Sequence, residues 1–118
     1  MGEALIVRRG GGGGDFSLEK VQVIEAWWGS TTSAALDPSK TYVLFLESSD
    51  AADGELDAEI GVFILDGGTI TSVHDGDSFL SKKAVSFNTT TNKITIKCVS
   101  TYYGSTWEHV QLAICKVN

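Results

Sequence analysis

The chain has 118 residues, which is enough for one domain with its own hydrophobic core and too few for two. Nine basic residues stand against fifteen acidic ones, for a net charge of −6. Nucleic acids and anionic membrane surfaces attract proteins with a basic footprint, so this balance argues against both as partners. No stretch approaches the roughly 18 apolar residues of a membrane span, and residues 1–9 lack the apolar core of a signal peptide. We therefore expect neither membrane insertion nor secretion.

The N-terminus carries a short apolar run, two cations and then five glycines, Gly10 to Gly14. The glycines predict a flexible tether. A phosphate-binding loop is excluded because no Lys-Ser or Lys-Thr pair and no helical pattern follows them. A strand as short as the apolar run must dock on something. The sequence thus predicts an N-terminal strand plus tether over 1–14 and a β domain over 15–118. The predicted docking segment is Leu5, Ile6, Val7, Arg8 and Arg9.

The rest of the chain reads as evenly spaced strands separated by turn signals, with no convincing helix. This pattern favours an all-β fold, an antiparallel β-sandwich of about eight strands that is jelly-roll-like, with an immunoglobulin-like sandwich as the alternative. A change of apolar phase predicts a bulge near Val23 and Ile24, and residues 29–33 read as a loop. The expected strands are 4–8, 16–28, 41–47, 59–65, 69–73, 79–87, 93–99 and 108–117.

Chemistry-bearing motifs are sparse. Cys98 and Cys115 are expected to be reduced, buried thiols. His74 and His109 have no metal-ligand spacing with cysteine or with each other, so no metal and no cofactor is predicted. The sequence lacks a Gly-x-Ser-x-Gly elbow, and an enzyme is not expected. The acidic stretches 50–57 and 74–77 are interpreted as solvated loops, with calcium binding as the alternative.

Paired aromatic residues are the best candidates for a binding site. Trp27-Trp28 and Tyr102-Tyr103 are each followed by Gly-Ser-Thr. Neighbouring residues on a strand point to opposite faces, so one aromatic of each pair can be buried while the other is exposed. The exposed one could stack on a sugar or anchor a subunit interface. The alternative is that Trp28 and one tyrosine cap the core where the sandwich ends. The candidate residues are Trp27, Trp28, Tyr102, Tyr103 and Trp107.

The opening Ala-Leu-Ile-Val-Arg-Arg followed by polyglycine, residues 4–14, resembles the start of small tail-associated proteins of bacteriophages and prophages. The resemblance covers residues 1–14 most closely. It implies a structural or host-surface-binding module of the virion (tail, fibre or baseplate), assembled in the bacterial cytoplasm. It further implies a homo-oligomer such as a trimer, contacts with other virion proteins and, as a further partner, a cell-surface glycan. A carbohydrate-binding module of β-sandwich type is the alternative function.

Overall fold

The structure, a computed structural model, describes residues 4–7, 16–27, 29–49, 60–76, 81–98 and 109–118, with the backbone alone for 4–7, 16, 48 and 49. This part of the chain contains nine strands and one short 3₁₀ turn, Lys82–Ala84. The strands are β1 Ala4–Val7, β2 Phe16–Trp27, β3 Thr31–Ala35, β4 Tyr42–Ser49, β5 Gly61–Asp66, β6 Thr69–His74, β7 Val85–Asn88, β8 Lys93–Lys97 and β9 His109–Val117.

The strands form two antiparallel sheets. One sheet has six strands in the order β1-β2-β9-β4-β5-β6, and the other has three in the order β3-β8-β7. Apolar side chains from both sheets meet in one buried core, and its largest fully buried members include Phe63, Leu44, Ile94 and Leu112. The prediction of an all-β antiparallel sandwich is confirmed.

The N-terminal strand lies within the chain's own six-stranded sheet. β1 pairs with the first part of β2, from Ala4 opposite Glu19 to Val7 opposite Phe16. A strand of four residues is too short to stand alone, and pairing at the sheet edge satisfies part of its backbone. Docking of this segment onto a second chain remains a prediction, and so does the tether, because residues 8–15 lie outside the described part.

Strand β3 is the main difference from the sequence-based prediction. Residues 29–33 were expected to form a loop, yet Thr31–Ala35 is a strand paired with β8, with Thr31 opposite Lys97 and Ala35 opposite Lys93. Gly29, at φ +79°, makes the sharp turn that carries the chain from β2 in one sheet to β3 in the other. Only Ala34 of the five β3 residues is buried, so the strand carries almost no apolar signal.

The bulge in β2 lies earlier than predicted. The register with β9 shifts between Lys20 and Gln22, which makes Val21 the extra residue. Leu18 and Ile24 are both buried and six residues apart, but their β9 partners, Val117 and Leu112, are five apart. They therefore lie on opposite faces of the sheet. The expected position near Val23 and Ile24 was wrong. Alternation of apolar residues shows that the buried face changes along the strand, but it does not show at which residue the change occurs.

The β5–β6 hairpin depends on two glycines with positive φ, Gly67 at +58° and Gly68 at +82°. We expect Gly68→Ala to destabilise the fold by about 1–2 kcal/mol, since a β-carbon is strained in the left-handed region. That carbon would also lie 2.8 Å from Thr89 Cγ2. Urea denaturation measures the change. Gly67→Ala is the matched control, because it carries the strain of positive φ with nothing within 4 Å. Equal effects at both glycines would contradict a role for the Thr89 contact, and adding Thr89→Ser to Gly68→Ala should recover part of the loss.

Candidate functional site

The six-stranded sheet has one face in the core and one face directed away from it. Leu44, Leu46 and Leu112 are fully buried on the inner face. Side chains alternate along a strand, and paired residues share a face. The intervening residues of β4, β5 and β9, with their partners on β2, therefore form the outer face. None of the described strands of the other sheet pairs with or covers this outer face.

Two adjacent rows of this outer face are apolar across neighbouring strands. In one row Val23, Ala113, Phe45 and Val62 lie opposite one another from β2 to β5. The next row contains Cys115, Val43 and Ile64, and Lys20 lies at its β2 end, opposite Cys115. Val23 is 40% exposed and Ile64 36% exposed, while the others are partly or largely buried. We call these seven residues the outer apolar patch. The patch is Val23, Val43, Phe45, Val62, Ile64, Ala113 and Cys115.

Polar side chains border the outer apolar patch along both ends of its strands. Glu25, Gln111 and Glu47 form a row across β2, β9 and β4 on one side. On the other side Thr41 Oγ1 donates to Asp66 Oδ1 at 3.0 Å. An apolar centre with a polar rim is typical of a protein interface and unusual for a solvent-exposed sheet face.

Trp27 and His109 form an aromatic pair beyond the Glu25 row, and Glu25 lies next to this pair. Trp27 and His109 are directly opposite each other on β2 and β9, and their rings stack with centroids 4.5 Å apart and planes inclined by 21°. His109 Nε2 lies 3.7 Å from Glu25 Oε2. The Trp27 side of the cluster is open, since this residue is 50% exposed. We call these three residues the Trp27 cluster.

Contacts around the Trp27 cluster hold it in place. The Thr32 hydroxyl of β3 donates to the backbone carbonyl of Glu25 at 2.5 Å. His109 is largely buried, and its Nδ1 atom has no hydrogen-bond partner among the residues that the structure describes. A fixed, half-exposed indole beside an exposed carboxylate can stack on the apolar face of a sugar ring and accept hydrogen bonds from its hydroxyl groups.

Cys115 lies inside the outer apolar patch, whereas Cys98 is buried in the core between the sheets. Both cysteines carry reduced, buried thiols, as predicted. Burial raises the pKa of the Cys115 thiol, and the positive charge of Lys20 opposes this effect. A thiol with a raised pKa is mostly protonated at neutral pH and behaves as a small apolar group.

Two exposed turns hold carboxylates with lowered pKa values. Hydrogen bonds from the Ser39 hydroxyl and then the Ser39 N–H lower the pKa of Asp37, at 2.7 and 2.9 Å. The Ser72 hydroxyl at 2.8 Å and the Lys82 N–H at 3.2 Å lower that of Asp75 in the same way. These bonds favour the charged carboxylate, so their stabilising effect is present above the unfolded pKa of about 3.9 and is lost as pH falls through the folded pKa.

We expect Ser72→Ala to raise the pKa of Asp75 toward its ordinary value and to leave that of Asp37 unchanged, because the largest cause of the shift is removed at one site only. NMR titration of the side-chain carboxyl carbons between pH 2 and 6 measures both groups in one sample. Ser39→Ala is the reciprocal control. A shift at both carboxyl groups in either variant would contradict this local origin.

The predicted site residues are divided between the described and undescribed parts of the chain. Trp27 is exposed at the end of β2, and the backbone of Leu5, Ile6 and Val7 lies in β1. The remaining candidates, Arg8, Arg9, Trp28, Tyr102, Tyr103 and Trp107, lie outside the described residues.

Sequence reasoning missed His109 and Glu25 as parts of the site. Glu25 lies two residues before Trp27 and shares its strand face, so alternation alone could have identified it. His109 is brought to Trp27 only by the register of β2 with β9, and no local pattern encodes that register.

Within the described ranges there is no group of three His, Cys, Asp or Glu side chains able to hold a metal ion. Of the two acidic stretches, residues 50–57 and residue 77 lie outside those ranges. In the same described part, none of the helical structure has the length and apolar character needed to cross a membrane. No protein-family model matches the chain, and no curated protein or solved structure is similar enough to match it.

Proposed function

We propose that this chain is a non-enzymatic structural or host-surface-binding module of a bacteriophage or prophage particle, placed in its tail, fibre or baseplate. The observation that carries the proposal is the outer apolar patch, a sheet face suited to assembly and not covered by a described element. The opening sequence of residues 1–14 supports the same interpretation through its resemblance to phage tail-associated proteins. Partners are then further copies of the chain and other virion proteins.

Location in the particle tests the proposal directly. Antibodies against the purified protein should label one defined part of the tail in gradient-purified particles, seen by immunogold electron microscopy. Particles from a strain with the gene deleted are the control. A protein found only in the unassembled fraction, or a gene surrounded by metabolic genes rather than tail and lysis genes, would contradict a virion role.

The N-terminal segment gives a second prediction. Deleting residues 1–14 should leave the body folded, because β1 is a four-residue strand at the sheet edge that pairs with the first part of β2. The same deletion should weaken incorporation into particles. Circular dichroism and thermal melting measure folding, and quantitative immunoblotting of purified particles measures incorporation. Loss of the cooperative melting transition would show that β1 is an essential strand rather than a docking segment.

A carbohydrate-binding module is the second candidate function, favoured by the Trp27 cluster. Trp27 offers exposed indole surface, and Glu25 offers a carboxylate about half exposed at its side. Titration with bacterial cell-wall saccharides should then change tryptophan fluorescence in the native protein and leave it unchanged in Trp27→Ala. Val73→Ala, which removes a comparably exposed apolar side chain from β6, is the control. Silence of the native protein on a glycan array would reject this function.

A further inference from the structure

We infer that the Trp27 cluster binds an amino sugar, that is, a saccharide with a free, protonated amine, in preference to a neutral saccharide. The indole of Trp27 stacks on the apolar face of the sugar ring, and the carboxylate of Glu25 pairs with the charged amine. This inference rests on the second candidate function, carbohydrate binding, and narrows the ligand of that site to a cationic class.

The first requirement, an open aromatic face, follows from the place of Trp27 in the six-stranded sheet. β1 pairs with β2 only from Phe16 to Glu19, so no described strand pairs with β2 beside Trp27 on the side away from β9. On the β9 side, the His109 ring covers the indole at a centroid distance of 4.5 Å. Half of Trp27 is nevertheless exposed. An exposed indole stacks on the C–H face of a sugar and also attracts a cation.

The second requirement is an accessible carboxylate beside the ring. Glu25 lies two residues before Trp27 on the same face of β2, about 6.7 Å along the strand. Its side chain is 53% exposed, and its Oε2 atom lies 3.7 Å from His109 Nε2. That distance is too long for a hydrogen bond, so this contact leaves the carboxylate able to accept hydrogen bonds from a ligand.

The charge around the Trp27 cluster favours a cation over a neutral ligand. The row of Glu25 and Gln111 ends in a second exposed carboxylate, Glu47, two strands and about 9.6 Å away from Glu25. In the described part of the chain, neither this row nor the row of Trp27 and His109 contains a lysine or an arginine. A neutral sugar gains nothing from the two carboxylates, whereas an oligosaccharide with repeated amines is attracted by both.

Two disaccharides that differ only in acetylation of their amines test the inference, namely those of glucosamine and of N-acetylglucosamine. NMR titration of the full chain at about pH 6, where such an amine is mostly protonated, follows the backbone amide signals of β2 and β9 near Trp27. We expect dissociation constants in the millimolar range, with the free amine binding about three- to thirtyfold more tightly. Tetramethylammonium, a cation without a sugar ring, should bind more weakly than the glucosamine disaccharide because it lacks the ring that stacks on the indole.

Three variants separate the contributions of the indole and the carboxylate. Trp27→Ala should abolish binding of both disaccharides. Glu25→Gln should weaken binding of the glucosamine disaccharide about two- to fivefold and leave that of the acetylated one unchanged, because only the amine pairs with the charge. Asp66→Asn is the matched control, since it removes one exposed carboxylate from β5, three strands away on the same sheet face, and should change neither affinity. Circular dichroism confirms that all three variants are folded.

The possible outcomes separate this inference from the functions on which it builds. Tighter binding of the free amine that is lost selectively in Glu25→Gln supports it. Equal or tighter binding of the acetylated disaccharide overturns the preference for an amine and leaves carbohydrate binding in place, whereas binding of neither disaccharide overturns both. Equal binding of tetramethylammonium, or an equal loss in Asp66→Asn, also overturns it, because the sugar ring or the local carboxylate would then have no role. Immunogold labelling of the particle is independent of all these results.

Discussion

Replacing Phe63 with alanine is expected to lower the free energy of unfolding by about 3–5 kcal/mol, the usual cost of removing a buried aromatic ring. Phe63 lies on the inner face of β5, is fully buried and is the largest of the fully buried side chains in the described core. Its removal leaves a cavity between the two sheets that neighbouring strands cannot fill without breaking their ladders. Since domains of this kind are stable by about 5–15 kcal/mol, such a loss removes much of the total.

Ile64 gives a control on the next residue of the same strand. It points to the outer face and is 36% exposed, so Ile64→Ala should cost less than about 1.5 kcal/mol. Urea denaturation of both variants at the same protein concentration compares their free energies of unfolding. Similar losses in both would mean that the two faces of β5 are equally buried and would contradict the assignment of an inner and an outer face.

Gln111→Pro is expected to destabilise the fold at least as much as Phe63→Ala. It should lower the free energy of unfolding by more than about 3 kcal/mol or prevent folding. β9 lies between β2 and β4 and pairs with both, with Gln111 opposite Glu25 on one side and Glu47 on the other. Proline removes a ladder N–H and places its ring against a neighbouring strand, which sheets tolerate only at edges or bulges. Gln111 lies on a central strand and away from the β2 bulge, so neither condition holds there.

Gln111→Ala separates the backbone effect from the side-chain effect. The alanine variant loses the same polar side chain from the outer face but keeps its N–H, and it should change stability by less than about 1 kcal/mol. Thermal melting followed by circular dichroism, with the soluble fraction after expression as a second readout, compares the pair. A folded proline variant with a melting temperature close to that of the alanine variant would show that β9 is not a central strand.

The fold class was predictable because several strands carry unambiguous local patterns. β8 alternates Ile94 and Ile96 with polar neighbours, and both isoleucines are fully buried. The Asp66-Gly-Gly-Thr69 turn marks the β5–β6 hairpin in the same local way. β3 was not predictable, since Thr31–Ala35 contains no large apolar residue and is held by pairing with a strand about sixty residues further along the chain.

The candidate site was predictable only in part. Exposure of Trp27 follows from the expectation that one aromatic of each adjacent pair is exposed. The outer apolar patch required knowledge of which strands are neighbours, because its rows join β2, β9, β4 and β5, which are scattered between residues 16 and 117. Val43 and Phe45 show the ambiguity well. Together with Leu44 and Leu46 they make β4 apolar on both faces, which would suit a strand buried on both sides, but the structure leaves them partly exposed on the outer face.

The position of the last strand in the middle of the six-stranded sheet has a consequence for biosynthesis. β9 separates β2 from β4, so a chain growing on the ribosome can form the β4-β5-β6 meander early but cannot join it to β2 before residues 109–117 have emerged. Until then, two open strand edges and the apolar side chains of the unfinished core are exposed to other nascent chains. Completion depends on contacts about ninety residues apart, which favours slow folding. High expression rates should therefore increase the aggregated fraction more through unfinished chains than through the native protein.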